Sequence, residues 1–131
     1  MENDCKYLFV YGTLLENDNE FGAFLKSNSN HITSGSFNGY LYDLGEYPGA
    51  IYDPLTKQQV FGQVLLLDND PAILKTLDEY EGFGEEDDQP DLFIRRIIPV
   101  NTDKGIMDCC VYLYNLPVTG CPQISSGIYN A

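Results

Sequence analysis

The sequence has no tryptophan, a single histidine, and only 7 Lys and Arg against 20 Asp and Glu, for a formal net charge of −13. The few basic residues form no patch, which argues against a nucleic-acid or anionic-membrane partner, because phosphate recognition relies on Lys and Arg. The acidic excess does not demand a cationic partner, since such surfaces ordinarily keep a protein in solution. His31 lies in a Ser/Asn-rich stretch that reads as a surface loop, which leaves nothing from which to build a serine or thiol triad. There is no Cys-x-x-Cys pair, so with one histidine a zinc site is not expected. No apolar run approaches membrane-spanning length. The N-terminal Met1-Glu2-Asn3-Asp4-Cys5-Lys6 has no signal-peptide pattern, and the expected location is cytoplasmic. Cys5, Cys109, Cys110 and Cys121 are accordingly expected as free, partly buried thiols, with the adjacent Cys109 and Cys110 on opposite faces of a strand.

What is present is a chain of 131 residues, 44% hydrophobic and 13% aromatic, which predicts one domain over 1–131 with a real core. Ten Tyr and seven Phe point to an aromatic core and cleft, and twelve Gly with seven Pro punctuate many short segments, favouring strands over long helices. Tyr7–Val10 is a short apolar run meeting Tyr11-Gly12-Thr13-Leu14, where Gly12 permits a sharp turn. Phe21, Phe24 and Leu25 fall at helical spacing. Alternation over Phe37–Leu44 predicts a half-buried strand, Glu46-Tyr47-Pro48-Gly49 a turn, Ala50–Tyr52 a short strand and Asp53-Pro54 another turn. Val60–Leu67 reads as a fully buried strand in which Gly62 marks a bulge or a close backbone contact. Phe93–Val100 and Ile106–Asn115 flank Asp103-Lys104-Gly105 as a hairpin, and the tail from Cys121 reads as irregular. The expected fold class is α+β: a small mixed β-barrel flanked by a few short helices.

Between these strands lies the clearest helix, capped by Asn69 or Asp70, begun by Pro71 and ended by Gly82. At about 100° per residue, Ile73, Leu74, Leu77 and Tyr80 share one arc, and Glu81 falls inside it. Glu79 lies opposite, and Asp78 at the border. An unpaired carboxylate on a core-facing arc is costly. Either Glu81, on the last turn, bends to solvent or pairs with Arg95 or Arg96, or it is a general acid or base in a cleft. The Tyr11–Leu14 turn is a second candidate, because a glycine between strand and helix lets backbone N–H groups converge on an anion. It has neither the P-loop nor the dinucleotide-binding glycine pattern, and an ordinary strand-ending turn would look the same.

Five short motifs in order carry a resemblance: Leu8-Phe9-Val10-Tyr11-Gly12-Thr13-Leu14, Leu44-Gly45-Glu46-Tyr47-Pro48-Gly49, Leu77-Asp78-Glu79-Tyr80-Glu81-Gly82, Arg95-Arg96 and Val111-Tyr112-Leu113-Tyr114. The chain resembles the γ-glutamylcyclotransferase-like family, most of all its γ-glutamylamine cyclotransferase and small bacterial branches. Ser126-Gly127-Ile128-Tyr129 is similar to the family's closing segment, with Tyr129 where members often carry Trp. Phe93 stands where many members have Tyr, and the acidic stretch Gly84–Asp91 follows Glu81 directly.

The resemblance implies a small barrel flanked by helices, substrate binding by Tyr11, Gly12, Thr13 and Leu14, catalysis by Glu81, and no metal or cofactor. The implied reaction splits a γ-glutamyl amide into 5-oxoproline and a free amine. The implied partner is a small γ-glutamyl molecule, with no nucleic acid and no membrane. A second reading keeps the fold as a non-catalytic small-carboxylate-binding or regulatory module; release of 5-oxoproline from γ-glutamyl amides separates the two.

Overall fold

The computed structural model describes residues 6–11, 23–24, 27–44, 48–68, 72–73, 75–76, 93–115 and 117–128. Six strands appear in chain order: β1 (Tyr7–Val10), β2 (Ser29–Asp43), β3 (Pro48–Tyr52), β4 (Gln59–Leu67), β5 (Phe93–Thr102) and β6 (Gly105–Tyr114). Their order in the sheet is β3-β2-β4-β1-β6-β5, and an additional β2–β5 pairing closes it on itself. The β1–β6 pair is parallel, with Leu8 opposite Cys110, whereas the other pairs are antiparallel, so the barrel is mixed as expected. Helical backbone is present at Ala23, Phe24 and Ser27, and again at Ala72, Ile73, Lys75 and Thr76.

Strand β1 is apolar throughout because both of its faces are covered. Phe9 joins Phe37, Val60, Val64, Ile98, Val100, Cys109 and Val111 inside the barrel. Leu8 and Val10 face the other way, into a second cluster with Leu65, Leu67, Cys110, Tyr112 and the helical Ile73. In β4, Val60 and Val64 point inward while Leu65 and Leu67 enter the outer cluster. Phe61 is 45% exposed, so β4 is not buried along its whole length as its apolar run implied. Gly62 is a close contact and not a bulge: a Cβ there would fall on the Val10 carbonyl and stand 2.8 Å from Phe9 Cζ.

Two segments differ from the sequence reading. The polar stretch around His31 is strand, not loop, and lengthens β2 to fifteen residues, with one irregularity between His31 and Thr33. Its polar side chains pair across to β4: Ser36 Oγ donates to Gln59 Oε1 at 2.8 Å, Ser34 Oγ to Gln63 Oε1 at 3.3 Å, and His31 Nε2 lies 2.6 Å from the same Gln63 oxygen. A strand with one solvated face tolerates such composition. Pro48 and Gly49 belong to β3, paired with Asp43 and Tyr42, where a turn was expected.

The cysteines also differ. Cys109 and Cys110 do take opposite faces, but Cys110 is disulfide-bonded, and only Cys109 and Cys121 are free among the described residues. The expectation of four free thiols is therefore corrected. Beyond β6, residues 121–128 form a strap. Ile124 N–H donates to Leu41 O at 2.7 Å, Asp43 N–H to Pro122 O at 2.8 Å, and Phe61 N–H to Gly127 O at 2.9 Å, carrying the chain from β2 to β4.

Candidate active site

The strand register makes Tyr11 the first inward-facing position after Phe9, and the residue is only 7% exposed. Its hydroxyl donates to the Tyr112 carbonyl at 2.6 Å and accepts the Ala50 N–H at 3.2 Å. Those partners lie on β6 and β3, strands that are not hydrogen-bonded neighbours. A buried phenol needs a partner for its O–H. Here Tyr112 O and Ala50 N–H, main-chain groups that cannot rotate away, serve it.

The place of this bridge follows from how the barrel closes. The β2–β5 pairing consists of Gly35 with Thr102 and Ser36 with Asn101. Beyond it, β2 pairs with β3 from Gly39 to Asp43. Phe93–Val100 of β5 then pairs, among the described strands, with β6 alone. A seam without a main-chain ladder separates β3 from the β5–β6 hairpin in that half of the barrel. The Tyr11 hydroxyl crosses it.

Two further residues mark the same seam. Gly49 brings β3 against β6, since a Cβ at that position would stand 2.7 Å from Leu44 Cδ1 and 2.9 Å from Tyr114 Cβ. Along β5, Ile94, Arg96, Ile98 and Val100 alternate on one face; Ile98 and Val100 are buried in the interior cluster, whereas Arg96, opposite Val111, is exposed. A charged side chain in an inward row reaches water only where the wall is open.

Of the residues singled out from sequence, Gly12, Thr13, Leu14 and Glu81 lie outside the described residues, as does the stretch Gly84–Asp91. Tyr11 is described, and its hydroxyl is engaged by β6 and β3. Sequence reasoning missed Ala50 and Tyr112, which contribute only an N–H and a carbonyl. Their sole signal was proximity to the Pro48-Gly49 and Val111-Tyr112 motifs. His31 is exposed on β2 and paired with Gln63.

Burial, and then the negative charge of Asp108, push the Cys109 thiol up to about 11, which leaves it protonated and inert. Among the described residues no group of three or more His, Cys, Asp or Glu could hold a metal ion. No helix among them is long and apolar enough to cross a membrane.

A small mixed barrel whose first strand is followed directly in sequence by Tyr-Gly-Thr-Leu defines the structural class. The family model described as "Gamma-glutamyl cyclotransferase, AIG2-like" matches residues 8–131, and the chain belongs to this γ-glutamylcyclotransferase-like family. It is 32% identical over 121 residues to the γ-glutamylcyclotransferase family protein YtfP of Escherichia coli K12, covering 92% of each chain. The solution structure of E. coli ytfP superposes with a TM-score of 0.66 over 93% of this chain and 94% of that one. The γ-L-glutamyl-butirosin B γ-glutamyl cyclotransferase of Niallia circulans is 34% identical over 109 residues, 82% of this chain and 66% of that protein. For the fold alone, an AIG2-like protein from Mus musculus, 24% identical, superposes with a TM-score of 0.70 over 95% of this chain and 88% of its own.

Proposed function

We propose that this protein is a γ-glutamyl cyclotransferase that cleaves a γ-glutamyl amide to 5-oxoproline and a free amine. Family membership and the relative named as a γ-L-glutamyl-butirosin B γ-glutamyl cyclotransferase support the reaction type. The structural observation that supports the reading is the Tyr11 bridge, which holds the first residue of the Tyr-Gly-Thr-Leu motif between β3 and β6.

The chemistry requires little machinery. The substrate's α-amine attacks its own γ-carbonyl carbon, so the nucleophile is tethered and gains a large effective molarity. A new C–N bond closes the five-membered lactam while the γ-carbon's bond to the leaving nitrogen breaks. The α-ammonium, with a pKa of about 8 for a chain-terminal amine, must first lose a proton, and the leaving amine must gain one. Glu81 takes the first proton and returns it to the second, which requires a carboxyl tuned upward to roughly 6–7. Backbone N–H groups at Gly12 and Thr13 hold either the α-carboxylate or the developing oxyanion. No cofactor enters.

The test assays 5-oxoproline release from a panel of γ-glutamyl amides by the wild-type protein and by Glu81→Gln. Gln keeps the shape of Glu but cannot accept a proton, so turnover should fall by about 10²–10⁴ while the fold survives. Glu79→Gln, on the opposite face by helical spacing, is the control and should retain activity. Near-wild-type turnover by Glu81→Gln would refute the assignment of the carboxylate. Failure of the wild-type protein to turn over any amide, together with thermal stabilisation by 5-oxoproline, would select the non-catalytic binding module.

A further inference from the structure

We infer that the strap of residues 121–128 is an exchangeable edge strand: it fills ladder positions along β2 and β4, and the same segment of a second copy of the chain can take its place, joining two chains into a dimer. The strand register identifies those positions, because main-chain groups alternate between the two edges of a strand. Along β2, Gly39 N–H donates to Gln58 O at 3.0 Å, so Gly39, Leu41 and Asp43 turn toward the edge that β4 lines. The β2–β4 ladder ends at Asn38 opposite Gln59. Beyond it the strap takes over. Ile124 N–H donates to Leu41 O at 2.7 Å, Asp43 N–H donates to Pro122 O at 2.8 Å, and Tyr42 stands opposite Gln123. Along β4, Leu67 N–H donates to Lys6 O at 3.0 Å, so Leu65, Gln63 and Phe61 turn toward the edge that β1 lines. The β1–β4 ladder ends at Val10 opposite Gln63. Beyond that point, Phe61 N–H donates to Gly127 O at 2.9 Å.

The strap therefore pairs as a strand does, on two edges in turn. It crosses between them in a turn closed by Gly127 N–H to Ile124 O at 3.0 Å, with Ile124 packed against the interior cluster. Gly127 is required there, since its φ is +75° and a Cβ would fall on the Gln59 carbonyl oxygen. Edges from which such a strap has gone present unpaired groups to any extended chain. The segment whose pairing with them is built into the fold is the strap itself, so the strap of a second copy is the partner that fits. Between β6 and the strap lies a hinge, the Val118–Cys121 turn, closed by Cys121 N–H to Val118 O at 2.9 Å. Thr119 and Gly120 are exposed in it, and Gly120 makes the reversal at φ +85° with nothing within 4 Å of the place a Cβ would take. A terminal edge strand on an exposed hinge is the arrangement from which identical elements exchange between protomers.

The test uses Gly120→Pro in the full chain, which forbids the hinge its positive φ and leaves barrel and strap unaltered. Sedimentation at about 0.5 M salt, which screens the formal charge of −13, should show a species of about twice the wild-type mass that grows with concentration. Amide exchange at Asp43, Phe61 and Ile124 should be at least about tenfold faster than wild type in dilute protein and should slow again in the dimer. Adding Gly127→Val keeps the strap from seating on either copy, so the double variant should stay at wild-type mass with those amides fast at every concentration. Wild-type mass with protected amides in Gly120→Pro would overturn the inference, as would wild-type mass with fast amides, because the hinge would not free the strap or the second copy would not accept it. A dimer that survives Gly127→Val would place the interface elsewhere and overturn it equally. The wild-type protein supplies an independent check should Gly120→Pro fold poorly. Asp43, Phe61 and Ile124, on three different elements, should exchange through one shared opening that leaves Val64 of the β2–β4 ladder closed. Separate openings for the three amides would overturn the inference without any substitution.

Discussion

Gly62→Ala perturbs the barrel through a single methyl group. In β4, Gly62 faces the interior between Val60 and Val64, at the point where β1 ends. A Cβ there would overlap the Val10 carbonyl oxygen and stand 2.8 Å from Phe9 Cζ, whereas ordinary contact begins near 3.4 Å. The obstacle is backbone, which cannot change rotamer. Accommodation would need β1 to recede from β4 by roughly 1 Å. β1 cannot do so freely, because Leu8 and Val10 are packed in the outer cluster and β6 lies on its other edge. Overpacking of this kind costs up to about 3 kcal/mol, which for a chain of this length lowers Tm by on the order of 10 °C. Val10 is also the residue before Tyr11, so a displaced β1 carries the hydroxyl bridge with it. Urea unfolding followed by circular dichroism measures the loss, with Leu55→Ala as control, since Leu55 is 92% exposed and its truncation should be near neutral. A Gly62→Ala protein within about 0.5 kcal/mol of wild type would refute the packing argument.

The ease with which each part could be read depended on how local its cause is. β1, β4 and the β5–β6 hairpin were legible because their apolar runs and the Asp103-Lys104-Gly105 turn are contiguous signals. The first half of β2 was not, because Ser34, Ser36 and His31 look like loop residues until Gln59 and Gln63 on β4 supply their partners. Pro48-Gly49 carried turn chemistry for a different reason. Gly49 is required by Leu44 and by Tyr114, the latter 65 positions later in the chain. Pro48, at the end of β3 on the sheet's outermost strand, forfeits no essential ladder bond. The Tyr-Gly-Thr-Leu motif marked a candidate site as a place in the chain, and of its residues Tyr11 is the one described. It could not reveal the direction of the Tyr11 side chain, whose partners are main-chain groups 101 and 39 residues away and leave no trace in residue type.

Two predictions remain. Alkylation of the native protein at pH 8 without reductant should label Cys121 and spare Cys109, whose thiol at about 11 is ionised in roughly one molecule in a thousand. Cys110 should appear only after unfolding and reduction, and labelling of Cys110 without reductant would refute its disulfide. The second prediction concerns acid stability. Thr33 Oγ1 donates to Asp103 Oδ1 at 2.6 Å, tying the hairpin turn to β2. This bond first, and then the residue's own backbone and Lys104, outweigh the opposing effect of desolvation and hold the Asp103 carboxyl below its ordinary 3.8. A carboxyl more acidic when folded than when unfolded adds stability that is fully present above the unfolded value and is lost as pH falls through the folded one. Asp103→Asn should therefore have a lower Tm than wild type at neutral pH, and the gap should narrow below about pH 4 and close at lower pH. Thr33→Val should lower Tm and shrink the same pH-dependent component, because it removes the donor and leaves the carboxylate to solvent. The measurement is Tm against pH for the three proteins. A gap between wild type and Asp103→Asn that stays constant from pH 7 to pH 2 would mean that the turn is held by its shape alone and that the hydrogen bond contributes nothing specific to the ionised form.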